Sequence, residues 1–446
     1  MRFSDKFISC MKKTLCNDFD EYYKALGEEP FRGLRINTLK ASADILKYLP
    51  FECEKTPFCD NGYYIPNDAS GVGNHPLHHA GAFYLQEPSA SSAVEALDVQ
   101  KGDRVLDLCA APGGKSTQIA AALCGEGLLV SNEIVRSRAK ILCSNLERLG
   151  VTNAIVTNAR PDELEYSLCG FFDKVLVDAP CSGEGMIRRE PNAAAEFSEQ
   201  NRRSCAERQL NILESADKLL RAGGVMVYST CTLSGEENEE VISKFILSHP
   251  YYELDEIKKP FGRPAYDRFA NGLDIKKARR ILPPDGGEGH FVARLIKRDS
   301  TGENYEFENI KRELPGVAEQ FLDEHFKSVF GVPTVFSDIV VLLPESLPKI
   351  ERARILRRGV EAGTLCKNRF EPSHALYTAM PPDCQNKPLE LSLNDGRIYD
   401  FLKGRQIECE GRGYIGVNVL GVSVGFGKAS GGVLKNHYPK GLRILG

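Results

Sequence analysis

The stretch LDLCAAPGGKSTQIAAAL, residues 106–123, reads as a strand, a glycine turn, Lys-Ser and a helix. That is nearly the loop that cradles nucleotide phosphates, G-x-x-x-x-G-K-[ST]. Gly114, Lys115 and Ser116 fit it, but the first glycine belongs at position 109, where Cys109 stands. Without that glycine the loop loses the freedom to fold back around phosphate. KVLVDAP (174–180) also imitates the metal-binding strand of such ATPases through Asp178. An RNA-dependent ATPase therefore stays open as an alternative. The other reading is an adenosyl ligand lying over the sheet edge, approached closely by glycine backbone at a helix N-terminus. An acid ending the second strand should then grip ribose hydroxyls. Glu133 ends GLLVSNE (127–133), at about the 20-residue spacing that logic requires.

Outward from this turn the rhythm is regular. RVLDLCA, GLLVSNE, AIVTNA, KVLVDAP and VMVYST are short apolar runs, each a buried-strand candidate. Between them lie helical patterns such as NRRSCAERQLNILESADKLL, where Leu210, Leu213, Asp217 and Leu220 trace one line. Leu213, Ala216, Leu219 and Leu220 fill its apolar face. Strand and helix in alternation argue for an α/β fold, a mostly parallel doubly wound sheet with helices on both faces. Upstream, LRINTLK (34–40) reads as a strand. GAFYLQEPSASSAVEAL (81–97) reads as a strand and then a helix capped near Ser89 and Ser91. KRDSTGENYEFEN (297–309) is polar and turn-rich, a linker to a small unit ending near 382. The last segment alternates at Val417, Val419, Val422, Val424 and Phe426, as a small β-rich domain would. It ends in Lys428, Lys435, Lys440 and Arg443. The expected units are 1–100, 101–297, 298–382 and 383–446.

Composition sets the class. The 446 residues are 42% apolar and 26% charged, as in ordinary globular proteins. No run of about 18 apolar residues suggests a membrane span. The start is charged throughout and lacks a signal-peptide h-region, so a cytoplasmic protein is expected. Fourteen cysteines in such a chain read as reduced thiols, most of them small core residues. There is no C-x-x-C, and the pairs Cys10/Cys16 and Cys53/Cys59 are too isolated for zinc. A formal charge of −4 argues weakly against nucleic acid. The local clusters IRRE (187–190), NRRSCAER (201–208) and DIKKARRI (274–281) could still form basic patches.

DAPCSGEG (178–185) and YSTCTLSGEENEE (228–240) each place a cysteine just past the carboxyl end of a strand, the ligand edge of an open α/β sheet. Cys181 and Cys231 should therefore face the crevice that holds the 109–115 turn and Glu133. A thiol there suits chemistry on a pyrimidine. Cytosine C5 is a poor nucleophile until a thiolate adds to C6; C5 can then attack the methyl of S-adenosylmethionine. Thiolates are both strong nucleophiles and good leaving groups. At a free pKa near 8.5 only a few per cent is ionised at pH 7, so the site should assist. Asp178 could anchor the base through its exocyclic amine or a protonated N3.

LDLCAAPGGKSTQ, LVDAPCSGEGMIRR and VYSTCTLSGEENEE together resemble the RNA cytosine-C5 methyltransferases, the RsmB/RsmF/NSUN superfamily. RINTLK and GAFYLQEPSAS match upstream segments of that family. GGVLKNHYPKGLRI resembles the C-terminal PUA-like domain of the RsmF type. The resemblance implies a Rossmann-like class I methyltransferase core between an N-terminal α+β RNA-binding domain and a C-terminal PUA-like one. It implies Cys231 as nucleophile and Cys181 as the thiol that helps release product. DNA enzymes use the Pro-Cys thiol instead, which makes Cys181 the alternative attacker. It implies S-adenosylmethionine held by Cys109, Ala110, Ala111, Pro112, Gly113, Gly114, Lys115, Glu133 and Asp178, with Lys115 also orienting the catalytic site. Where the family has an acid after the third strand, TNARPDEL offers Asn158, Arg160 and Asp162, and Asn158 could reach the adenine amine. The implied substrate is small-subunit rRNA, free or within a ribosomal subunit, with tRNA as an alternative. No DNA, membrane or metal is expected, and a monomer is the default. A catalytically silent assembly factor is the non-enzymatic alternative, against which both cysteines and the glycine turn are present.

Overall fold

The computed structural model describes residues 3–189, 198–299 and 302–444. Its centre is a sheet of ten strands among the described residues. Five run parallel: β1 (Arg104–Asp107), β2 (Leu128–Asn132), β3 (Ala154–Asn158), β4 (Phe172–Asp178) and β5 (Leu220–Thr230). They lie in the order 3-2-1-4-5. β6 (His290–Lys297) runs antiparallel beside β5, and β7 (Arg354–Arg358) antiparallel beside β3. The order reverses between β1 and β4, and in such sheets ligands bind at that point, beyond the carboxyl ends.

The apolar runs become strands because both sheet faces are covered, which leaves no polar face for alternation to mark. On one face Leu106, Val130, Ile155, Val175, Val177, Met226 and Tyr228 pack against helices α3 (Pro161–Leu168), α4 (Glu199–Leu219) and α5 (Glu239–Ser248). On the other, Val105, Leu129, Val156, Leu176 and Val227 meet α1 (Gly114–Leu123), α2 (Arg136–Arg148) and the short helix Ser92–Leu97. In α4 the expected apolar residues Leu213, Ala216 and Leu219 are buried, but the helix stops at Leu219 and Leu220 already opens β5. Asp217 is turned inward and held by Lys297 Nζ at 3.0 Å.

Several expectations change. The helix near Ser89 and Ser91 is capped by Glu87, whose carboxylate accepts the N–H groups of Ser89 (2.9 Å) and Ala90 (2.8 Å). Ser92–Leu97 then packs on the central sheet, so the core begins before residue 100. The 298–382 segment forms a four-stranded sheet with helix Gly316–His325 and also gives β7 to the central sheet. Part of the expected linker packs on the core, with Tyr305 stacked edge-on against Phe171; positions 300 and 301 lie outside the described residues. Only Cys59, Cys205 and Cys409 are buried, so most cysteines are not core residues. The basic clusters are partly internal: Arg188, Arg202 and Arg280 are buried and paired with Glu288, Glu184 and Glu239. Position 190 lies outside the described residues.

Two flanking domains complete the chain. The N-terminal sheet is antiparallel, in the order Glu54–Lys55, Gly62–Ile65, Arg32–Ile36, Phe83–Gln86. The C-terminal five-stranded sheet carries Gly413–Val419 and Val422–Ser430 at its centre. These two domains share one apolar core, in which Leu34, Leu77 and Phe83 meet Ile398, Val419 and Tyr438. Lys40 sits where three units meet, its ammonium donating to the carbonyls of Ala80, Arg148 and Ser423.

Candidate active site

The 109–113 loop leaves β1 and is tied down from three sides. The Ala110 N–H donates to the Asn132 carbonyl at 2.8 Å; Arg138 donates to the Ala111 carbonyl and Asn145 to that of Pro112. Gly113 has φ +112°, a backbone state that favours glycine, and a Cβ there would meet Leu142 at 3.1 Å. Gly114 opens α1 under the ring of Tyr84, 3.1 Å from where its Cβ would be.

A cavity of about 260 Å³ lies above this loop. Cys109, Ala110, Ala111, Pro112, Gly114, Lys115 and Asp178 line it, as the sequence suggested. Gly113 does not; it faces α2. Glu133 is not among the lining residues either. It is buried at the end of β2, where its carboxylate accepts the Val135 N–H at 2.8 Å and faces Arg138 at 3.4 Å. Sequence reasoning missed the rest of the wall: Tyr84, Gln86 and Glu87 from the N-terminal domain, Asp107, and Met186 and Arg189 beyond β4. Asp107 ends β1 as Glu133 follows β2, a strand-end signal that was legible. One of its oxygens accepts from Ser116 Oγ at 2.6 Å and the other is buried without a partner. Burial, opposed by the Ser116 bond and reinforced by the charge of Asp178, pushes its carboxyl up to about 7. Burial, with Asp107, Asp178 and Glu133 around it, also holds the Cys109 thiol far above its usual range, which makes it a poor nucleophile.

Lys115 and Asp178 form an ion pair at 2.8 Å, and Ser229 Oγ donates to the other Asp178 oxygen at 2.8 Å. Burial works against the charge on Lys115, but Asp178, with help from the Cys231 thiol and Asp107, outweighs it and raises the ammonium above the ordinary lysine range. Asn158 donates to the carbonyls of Glu133 (2.7 Å) and Ile134 (2.9 Å), which splices the ends of β2 and β3 and occupies its amide nitrogen. Arg160 pairs with Asp162 on the surface.

Beyond β4 and β5 the two cysteines converge, with Sγ atoms 3.3 Å apart. Both are partly exposed. Their turns are fused. The Gly185 N–H donates to the Cys231 carbonyl at 3.0 Å, and the Ser182 and Thr232 hydroxyls lie 3.0 Å apart. Glu237 accepts the Ser182 N–H and hydroxyl and the Gln209 amide. Behind them Glu184 accepts from Thr232 and faces Arg202. The hydrogen bond between the thiols, then burial, hold Cys181 well above the usual thiol range. No group of His, Cys, Asp and Glu suited to a metal occurs among the described residues. No helix among them is long and apolar enough to cross a membrane.

The site thus joins a cavity lined by Glu87, Asp107, Asp178, Lys115 and Arg189 under a glycine turn to a thiol pair next door. Residues 94–296 match the family described as 16S rRNA methyltransferase RsmB/F. Residues 3–88 match the N-terminal domain of 16S rRNA methyltransferase RsmF, 320–380 its first C-terminal domain, and 388–444 its PUA domain. The ribosomal RNA small subunit methyltransferase F of Vibrio parahaemolyticus is 33% identical over 464 residues, which cover 95% of this chain and 94% of that one. A solved methyltransferase homologue from Pyrococcus horikoshii superposes with a TM-score of 0.58 at 31% identity, over 66% of this chain and 95% of that one. NSun6 from the same organism, solved with SFG, does so at 0.59 and 23% identity, over 67% and 99%.

Proposed function

The chain belongs to the RsmB/F family of 16S rRNA methyltransferases, and from that premise we propose that it methylates C5 of a cytosine in small-subunit rRNA. The observation that carries this reading is the pair of thiols 3.3 Å apart at neighbouring strand ends, beside the Lys115–Asp178 pair. S-adenosylmethionine is the cofactor of the family and supplies the methyl group as an electrophilic sulfonium. The cavity suits its positive charges: Asp107 offers an unpartnered buried oxygen, Asp178 a second carboxylate, and the loop from Cys109 to Lys115 close backbone. Glu133, which does not line the cavity and whose carboxylate is held by Val135 and Arg138 just past β2, is the residue we assign to the ribose hydroxyls.

Cys231 would add to C6 as a thiolate, moving the C5=C6 pair onto C5, which would then take the methyl as the S–CH3 electron pair stays on the donor sulfur, leaving a neutral thioether. A base then removes the C5 proton, the double bond re-forms, and the Cys231 thiolate leaves. Asp178 still has lone pairs free to accept from the cytosine amine, although Lys115 and Ser229 already donate to it. Lys115, held charged by Asp178 at 2.8 Å, stands at the reacting end of the cavity. Cys181 keeps its proton and assists release. The target base must leave its helix at a cost of a few kcal/mol, which the flanking RNA-binding domains offset.

Two measurements test the proposal. Bisulfite sequencing of cellular rRNA with and without the gene should show at least one small-subunit cytosine that loses protection; unchanged rRNA overturns it. With purified protein, Cys231→Ala should form no covalent RNA adduct on denaturing gels, whereas Cys181→Ala should accumulate one. The reverse pattern would exchange the two roles.

A further inference from the structure

Two thiols 3.3 Å apart need something to decide which one attacks. Their surroundings are unequal. On the Cys231 side stands Lys115, paired with Asp178 at 2.8 Å and within electrostatic reach of the Cys231 sulfur. On the Cys181 side stands Glu237, wholly buried, its carboxylate gripping the residue next to Cys181 through the Ser182 N–H at 3.0 Å and the Ser182 hydroxyl. Gln209 adds a third donor at 3.0 Å and also donates to the Pro180 carbonyl, on the other side of Cys181. The Glu237 carbonyl accepts from Tyr228 of β5, the strand that delivers Cys231. One residue of the GEENEE run is therefore anchored to both thiol-bearing turns.

We propose that Glu237 is a positioning residue that assigns the two thiols their roles: it ties their turns together and sets a buried carboxylate behind Cys181, which leaves Cys231 as the attacking thiol. This rests on the reading of the site given above. The charged and titratable groups that face the pair are Lys115, Asp178, Glu184, Arg202, Tyr228 and Glu237. Of these, Glu237 both acts on Cys181 and bonds its turn directly. Burial lifts the Glu237 carboxyl above the usual range on balance, although its three donors and Arg202 oppose that. Arg202 is shared with Glu184 and Glu236, so its charge does not cancel that of Glu237 alone.

The test reads thiol ionisation without methyl transfer or RNA. Limiting iodoacetamide labels thiolates, and peptide mapping gives the Cys231:Cys181 ratio from pH 6 to 9. In the unaltered protein Cys231 should label first. Glu237→Gln keeps the shape and loses the charge. A unit charge within about 4–6 Å moves a pKa by about 1–3 units, so the ratio should fall by about tenfold or more. Ser182→Ala loses a hydrogen bond but keeps the charge, and should leave the ratio near that of the unaltered protein. Melting temperatures identify any variant that fails to fold. Cys181 labelling first in the unaltered protein, or an unchanged ratio in folded Glu237→Gln, overturns the proposal. Failure of the bisulfite experiment with the labelling pattern intact would instead overturn the proposed reaction alone.

Discussion

Gly185 offers a way to move the two thiols apart without touching either. An alanine Cβ there would lie 2.3 Å from the Gly289 carbonyl oxygen and 2.7 Å from that of Cys231. Both atoms are backbone, so neither can swing aside, and ordinary contact requires a shift of about 1 Å. Overpacking of this kind costs about 1–3 kcal/mol, and each kcal/mol lowers the melting point by about 2–4 °C in a unit of roughly 200 residues. The kinetic effect should be larger. A displacement of about 1 Å at a reacting group costs on the order of 100-fold in rate. Gly185→Ala should therefore stay folded, melt several degrees lower, and methylate unmodified rRNA about 100-fold more slowly in a single-turnover assay with labelled donor. Gly183 is the control two residues away. It has φ +77° and nothing within 4 Å of its would-be Cβ. Alanine there pays about 1–2 kcal/mol for the left-handed backbone but pushes on nothing. Its rate should fall far less. If Gly185→Ala keeps its rate, or both variants slow equally, backbone contact between the turns does not set the thiol spacing.

Arg35 is buried and reaches from the N-terminal sheet to the Gly114 carbonyl (3.1 Å) and the Thr117 hydroxyl (2.8 Å) at the head of α1. Arg35→Met should weaken binding of S-adenosylhomocysteine by up to about 30-fold in calorimetry, since two bonds that hold that helix are lost at about 1 kcal/mol each, about 2 kcal/mol together; an unchanged Kd refutes this. Asp107 titrates near 7 when folded against 3.8 as a free side chain, so the folded state keeps a proton that the unfolded chain gives up. Its contribution therefore makes stability decline as pH rises from about 4 to about 7 and level off above. Asp107→Asn should flatten that slope in melting curves, and an identical slope would exclude Asp107 as its source. Removing residues 381–446 should expose the shared apolar core, lower the melting point and increase binding of a hydrophobic dye. A truncated chain as stable as the whole would show that the two end domains are independent.

The five parallel strands were legible because burial on both faces leaves a plain apolar run. β6 was not picked out, although HFVARLIK is as buried, because Arg294 and Lys297 break its pattern; both are neutralised inside the fold, by Asp255 and Asp217. β7, RILRR, looks like a basic loop and becomes a strand only because β3 offers it an open edge. At the site, the glycine turn, both cysteines and Asp178 announced themselves through local spacing. Tyr84, Gln86 and Glu87 could not, since their place in the cavity wall depends on how one domain docks on another. Glu237 was visible only as part of an acidic run. Its role depends on Ser182, 55 residues away.

The apolar core shared by the two end domains also sets the order of events during synthesis. The strands and helix around Leu34, Leu77 and Phe83 leave the ribosome early, but Ile398, Val419 and Tyr438 follow more than 300 residues later. At about 5–20 residues per second that is an interval of roughly 15–60 s. Throughout it the nascent N-terminal domain carries an uncovered apolar face, one that chaperones can hold and neighbouring chains can foul. A domain made early is thus finished late, once strands more than 300 residues downstream have been released.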